Sequence, residues 1–163
     1  MKMKMHIAVA VALLATSLTG AAQLSGNITI SGTVANSTSI TVASQAGYNT
    51  LNIAGGATAQ LVAIATEKSN DKLGYTVTLT TANAPTGTAA FLKGPTGNAD
   101  QVPYTMTYNG VAVTLVAGSA VVTSANARTP SAGVTKNLNV TIPAVWVNAD
   151  TYSDTITLTI AAL

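Results

Sequence analysis

Apolar and polar residues alternate with a period of two in stretch after stretch of this chain. The clearest runs are Ile28-Thr-Ile30, Ser39-Ile-Thr-Val42, Tyr75-Thr-Val-Thr-Leu79, Leu138-Asn-Val-Thr-Ile142 and Ile156-Thr-Leu-Thr-Ile160. In an extended backbone successive side chains point to opposite faces, so such a run offers one apolar face and one face of Thr or Asn. A helix would scatter the same residues around its circumference. The pattern therefore predicts half-buried strands packed into a sandwich or barrel.

Val, Ile and Thr favour strands, and Gly and Asn punctuate them. Further strands are expected around Thr50–Ile53, Gln60–Thr66, Val102–Tyr108 and Val111–Val116. Tyr108-Asn109-Gly110-Val111 places Asn-Gly between two alternating runs, the signature of a tight hairpin. Ser69–Lys72, Asn83–Thr88, Lys93–Asp100 and Ser124–Val134 read as loops, since they hold most of the Pro and much of the charge. Thr58–Lys68 has some helical propensity, but its apolar residues hold no helical face and a strand is preferred. Eight or so short strands in one domain suggest an immunoglobulin-like β-sandwich.

The N-terminus reads as an export leader. Lys2 and Lys4 precede an apolar run from Ile7 to Leu14, and Gly20-Ala21-Ala22 offers small residues for cleavage after Ala22. The apolar run falls short of the ~20 residues a spanning helix needs. The expected organisation is a signal peptide at 1–22, an N-terminal segment at 23–36 and one β domain at 37–163. No membrane anchor is expected once the leader is gone. The only histidine, His6, leaves with it.

What remains balances Lys68, Lys72, Lys93, Lys136 and Arg128 against Glu67, Asp71, Asp100, Asp150 and Asp154. No basic patch suited to nucleic acid stands out. With charged residues at only 7 % of the chain, self-association is expected. There is no cysteine, so packing and backbone pairing alone must hold an exported fold.

Catalytic chemistry is sparse. Without His or Cys beyond the leader, Ser-His-Asp, Cys-His and histidine-based metal sites are excluded. The carboxylates, apart from Asp154, fall in or near expected loops and read as solvated charge. Asn98-Ala-Asp100 and Asn148-Ala-Asp150 lack the oxygen cluster of a calcium loop. Gly94-Pro-Thr-Gly97 lacks the Lys of a phosphate loop. Trp146 is expected to pack beside Pro143 and Tyr152. No enzyme activity, cofactor or metal is expected.

The two ends carry the most information. From Leu24 to Val34 every even position is apolar or Gly and every odd one polar. A Gly among large residues on the apolar face permits close backbone approach. The same pattern also suits an ordinary first strand. At the other end, Asp150–Leu163 closes in a strong strand, which must be paired or become an edge liability.

ITISGTVANSTSITV at Ile28–Val42 resembles the start of chaperone–usher pilins and of the spore coat protein U-like group. GYTVTLTT at Gly74–Thr81 and VPYTMTYNG at Val102–Gly110 resemble later strands of these families, and ADTYSDTITLTI at Ala149–Ile160 resembles their C-terminal strand. Many members carry a Cys near Ser39 and a partner later. This chain has neither, which fits cysteine-free pilins and leaves the subfamily open.

The resemblance implies an immunoglobulin-like fold that lacks its last strand and is completed by a donor strand from a neighbouring subunit. Ile28, Ile30 and Val34 would fill pockets in that neighbour, with Gly32 where the groove is tight. Tyr152, Ile156, Leu158 and Ile160 would line the acceptor groove, where a periplasmic chaperone docks before an outer-membrane usher assembles the filament. Tyr152 equally fits a corner tyrosine with a structural hydrogen bond. The implied role is a subunit of a surface pilus or fimbria, exported through the periplasm and supporting adhesion or biofilm formation. Its partners would be like subunits joined head to tail. The alternatives are a monomeric secreted module binding a carbohydrate or protein, or a coat or matrix protein.

Overall fold

The computed structural model describes residues 25–163; the expected signal peptide and Gln23 and Leu24 lie outside the described residues. Chain contacts divide between Thr33 and Val34. The part from Ser25 to Thr33 contains no strand, so the expected Ile28–Ile30 strand is not formed. The part from Val34 onward is all-β and antiparallel, with no helix.

Its strands are β1 (Thr38–Ser44), β2 (Ala57–Ser69), β3 (Tyr75–Thr81), β4 (Ala90–Lys93), β5 (Gln101–Tyr108), β6 (Val111–Ala112), β7 (Ser119–Ala125), β8 (Val134–Ile142) and β9 (Ile156–Ala162). One sheet runs β1-β2-β8-β5-β4, with β6 also on β5, and the other runs β7-β3-β9. The inner faces of both sheets contribute to one apolar core.

The period-two runs produce that core directly. Val77 and Leu79 of β3, Val102, Tyr104 and Met106 of β5, and Leu138, Val140 and Ile142 of β8 are all buried, while their neighbours turn outward or sit at intermediate depth. The stretch with helical propensity is strand β2, paired on both sides. It carries a bulge at Ala59, whose φ is 48°. Both backbone groups of Ala59 are satisfied from β8: Thr141 Oγ1 accepts its N–H at 2.9 Å and Asn139 Nδ2 donates to its carbonyl at 2.8 Å. A bulge with its freed groups paired bends a strand without leaving backbone polar groups unmet.

The Asn109-Gly110 turn forms as expected, with φ of 51° and 82° at its two central residues. Positive φ at both positions defines the type I′ turn whose twist matches that of flanking strands.

Other expectations need correction. Thr50–Ile53 is turn and irregular chain, not strand. The strand expected over Val111–Val116 stops at Ala112; Val116 instead bridges to Ser119 around Ala117 and Gly118, both at positive φ. Strands β4 and β7 lie where none was expected. Trp146 does not pack beside Pro143 and Tyr152: it is 97 % exposed, and its neighbours Val145 and Val147 are the ones that pack on the core.

Glu67 is the largest departure, because it is fully buried rather than solvated. Tyr75 Oη donates to its Oε2 at 3.0 Å, while Tyr108 Oη and Thr123 Oγ1 donate to its Oε1 at 2.7 Å and 2.8 Å. These groups come from β2, β3, β5 and β7, two strands from each sheet. Charge-assisted bonds of this kind offset the cost of burying a carboxylate. Burial, then the Glu67 hydrogen bond and charge, push the Tyr75 hydroxyl up to about 12. The same causes raise Tyr108 further.

Candidate functional site: a gap between two strand edges

Strands β1 and β9 are outermost in their respective sheets. Among the described residues β1 is hydrogen-bonded only to β2, and β9 only to β3. The two strands approach within 8 Å between Cα atoms, yet no ladder joins them. Each therefore leaves a row of backbone groups unpaired along one edge.

Between them lies an apolar cavity of about 420 Å³. Its walls are Val42 of β1 and Ile156 and Leu158 of β9. Its floor is made by core residues, notably Val62, Leu92, Leu138 and Val140. Val42 is 49 % exposed, and Ile156 and Leu158 are only half-buried, although both strands carry the inward-facing parity of a core. Side chains of the type that elsewhere close the core here open onto a cleft.

One end of the gap is polar and fixed. Asp154 accepts Tyr104 Oη at 2.7 Å and the Asn83 N–H at 3.0 Å, and Ala82 N–H reaches the Thr155 carbonyl at 2.9 Å. Burial, followed by the Asp154 bond and charge, holds the Tyr104 hydroxyl well above its ordinary range. The start of β9 is thereby anchored to the end of β3, which positions the wall residues Ile156 and Leu158.

The residues expected to form the groove divide. Ile156 and Leu158 line it; Ile160 is half-buried on the same face of β9, beyond the cavity. Tyr152 precedes β9 and lines an adjoining depression, which shares Tyr48, Leu51 and Leu92 with the gap. Its hydroxyl donates to the Asn148 carbonyl at 2.9 Å and accepts from Asn98 Nδ2 at 3.0 Å. The first bond reaches back four residues along the backbone, as a corner tyrosine does. Sequence reasoning missed Val42, Leu92 and Asp154 as lining residues. Val42 was legible as an alternating strand position, whereas Leu92 sits on a four-residue strand with no alternation to read.

The expected donor residues are described separately, in the N-terminal part and at its boundary. Ile28, Ile30 and Val34 are 89 %, 92 % and 90 % exposed. Among the described residues, a Cβ built at Gly32 would meet nothing within 4 Å.

Among the described residues no three His, Cys, Asp or Glu side chains gather as a metal site would require. No described helix is long and apolar enough to cross a membrane. No protein-family model matches the chain, and no curated protein matches it.

Proposed function

We propose that the chain is a structural subunit of a surface pilus or fimbria, polymerised when the N-terminal strand of one subunit completes the fold of the next. The observation that carries this reading is the apolar gap between β1 and β9, bounded by an unpaired strand edge on each side.

Strand order supports it. In the immunoglobulin sandwich, strands A, B, E and D form one sheet and C, F and G the other. Here β1-β2-β8-β5 follows the first order and β3-β9 follows C and F. On this reading the free edge of β9 would be where strand G pairs. The segment Ile28–Val34 has the length of β1 and of β9, alternates as a strand should, and exposes its apolar side chains.

Energetics fit a durable joint. Burying Ile28, Ile30 and Val34 would contribute about 1.5–3 kcal/mol each, and each new backbone bond a net ~0.5–1.5 kcal/mol. The sum is on the order of 10 kcal/mol before ordering costs, comparable to the stability of a whole domain. Because the contact is head to tail and does not close on itself, it propagates as a filament. A chaperone and an usher would guard the open gap before assembly, and export through the periplasm goes with this reading.

A second reading, a monomeric secreted binding module, is favoured by one observation, the fully presented Trp146.

The deciding experiment compares the exported chain with a variant lacking Gln23–Val34, by size exclusion and thermal melting. Heat-resistant multimers of the full chain, and a truncated form that stays unassembled and gains stability from an added Gly26–Val34 peptide, support the pilus subunit. A full chain that is a stable monomer, unresponsive to the peptide, sinks it and favours the binding module.

A further inference from the structure

A second cleft, of about 660 Å³, lies beside the C-terminal end of β2. Its chemistry is unlike that of the gap. Lys68 and Arg128 line it, together with the hydroxyl residues Ser37, Thr129 and Ser131, and no carboxylate is among its lining residues. Beyond residue 24 the only other cations are Lys72, Lys93 and Lys136, so this charge-poor chain gathers two of its few positive groups at one cleft.

The nearest carboxylates in sequence do not line it and have hydrogen-bond partners of their own. Glu67 is fully buried among its three hydroxyl donors. Asp71 accepts from Asn36 Nδ2 at 2.6 Å and from the Leu73 N–H at 2.8 Å. The positive charge facing the cleft is thus not cancelled from within its lining.

The cleft is also braced. Thr129 N–H donates to the Ser69 carbonyl at 2.9 Å, and Ser69 N–H donates to Thr129 Oγ1 at 3.1 Å. This reciprocal pair ties the loop bearing Arg128 to the strand end bearing Lys68. Asn70 adds a second tie, accepting the Ser37 N–H at 2.7 Å and donating to the Ala35 carbonyl at 2.8 Å. These ties fix the backbone that carries Lys68 and Arg128, so a ligand need order only their side chains.

We propose that this cleft binds an acidic saccharide, with Lys68 and Arg128 engaging a sulfate or carboxylate group and the Ser37 and Ser131 hydroxyls engaging the sugar hydroxyls. Two cations without a carboxylate select an anion. A rim of short hydroxyl side chains, which both donate and accept, suits a polyhydroxylated ring better than a bare phosphate or an apolar chain. The inference stands on this cleft alone and holds whether or not the chain polymerises.

Calorimetric titration of the exported chain at low ionic strength tests it. The probes are a heparin-derived hexasaccharide for sulfate, a hyaluronan-derived hexasaccharide for carboxylate, and maltohexaose as the neutral control. At least one acidic probe should bind and maltohexaose should not; which acidic probe binds identifies the anion. Lys68→Gln and Arg128→Gln should each weaken binding about tenfold, the loss of one charge-assisted bond, while Lys93→Gln leaves it unchanged. Lys68→Arg should retain binding, and because both side chains are exposed all variants should melt with the parent chain. The proposal is overturned if no acidic probe binds at millimolar concentration, if maltohexaose binds as well, or if Lys93→Gln costs as much as Arg128→Gln. Single-stranded DNA binding as tightly, with the same dependence on Lys68 and Arg128, would also overturn it, since any polyanion would then suffice.

Discussion

The two sheets meet in opposite ways at two places. Around Glu67 they are joined by a buried carboxylate that takes hydroxyls from three other strands. Between β1 and β9 they are not joined, and core-type side chains line an open cleft. The first region has every polar partner it needs within the domain. The second has the opposite condition: apolar walls and backbone edges with no partner among the described residues. The sheets are thus tied by buried polar bonds at the first place, while at the second their apolar side chains face a cleft.

The largest expected effect comes from breaking the closed junction. Glu67→Ala removes the acceptor of two buried tyrosine hydroxyls and of the half-buried Thr123 hydroxyl, and a loss of about 3–5 kcal/mol is expected in urea unfolding. That is enough to unfold a marginal domain. Tyr108→Phe removes one bond to the carboxylate and should cost about 1.5–3 kcal/mol by the same measurement. If Glu67→Ala unfolds at the parent's urea midpoint, the junction contributes nothing and the contrast collapses.

Breaking the open side should separate stability from assembly. Ile30→Asp places a charge on a side chain that is 92 % exposed, so the unassembled domain should unfold within about 0.5 kcal/mol of the parent. Heat-resistant multimers should disappear. Equal loss of monomer stability would mean that Ile30 belongs to its own domain.

Alkali sharpens the same comparison. The folded Tyr75 hydroxyl titrates near 12, against about 10 in an unfolded chain. A raised pKa favours the neutral form in the fold, so its contribution is fully present below about pH 10 and is lost as pH rises toward 12. Urea midpoints should fall across that window, and Tyr75→Phe should flatten the fall. The smallest effect belongs to Trp146→Ala, which removes no buried contact and should shift stability by less than about 0.5 kcal/mol.

Alternation made the strands of the core legible, because a half-buried strand writes its two faces into the sequence. Asn109-Gly110 was legible for a local reason, since only certain residues tolerate positive φ in succession. Strand β4 was hidden by its brevity, and β7 by residues such as Ser119-Ala-Val-Val-Thr123, which lack clean alternation on a sheet edge. The alternation of Ile156 and Leu158 read as the apolar face of a strand; nothing in that pattern says that the face lines a cleft. Glu67 was not legible at all: its partners Tyr108 and Thr123 lie 41 and 56 residues away, and a charged residue beside Lys68 reads as surface until the strands are paired. Trp146 misled because size argues for burial, whereas the backbone between β8 and β9 turns its two valine neighbours inward instead.

The length of the β1 and β9 edges has a mechanical consequence. Seven extended residues span about 23 Å, and a strand paired along either edge would run that whole distance. Tension applied to the end of such a strand would pull along its axis, loading its backbone hydrogen bonds side by side in shear. They would share the force and have to fail together rather than peel away singly. Forced unfolding is governed by the height of that barrier rather than by equilibrium stability. Single-molecule pulling along the seated strand should therefore need a markedly larger force than pulling across it, and equal forces in the two directions would show that the strand bears no shear load.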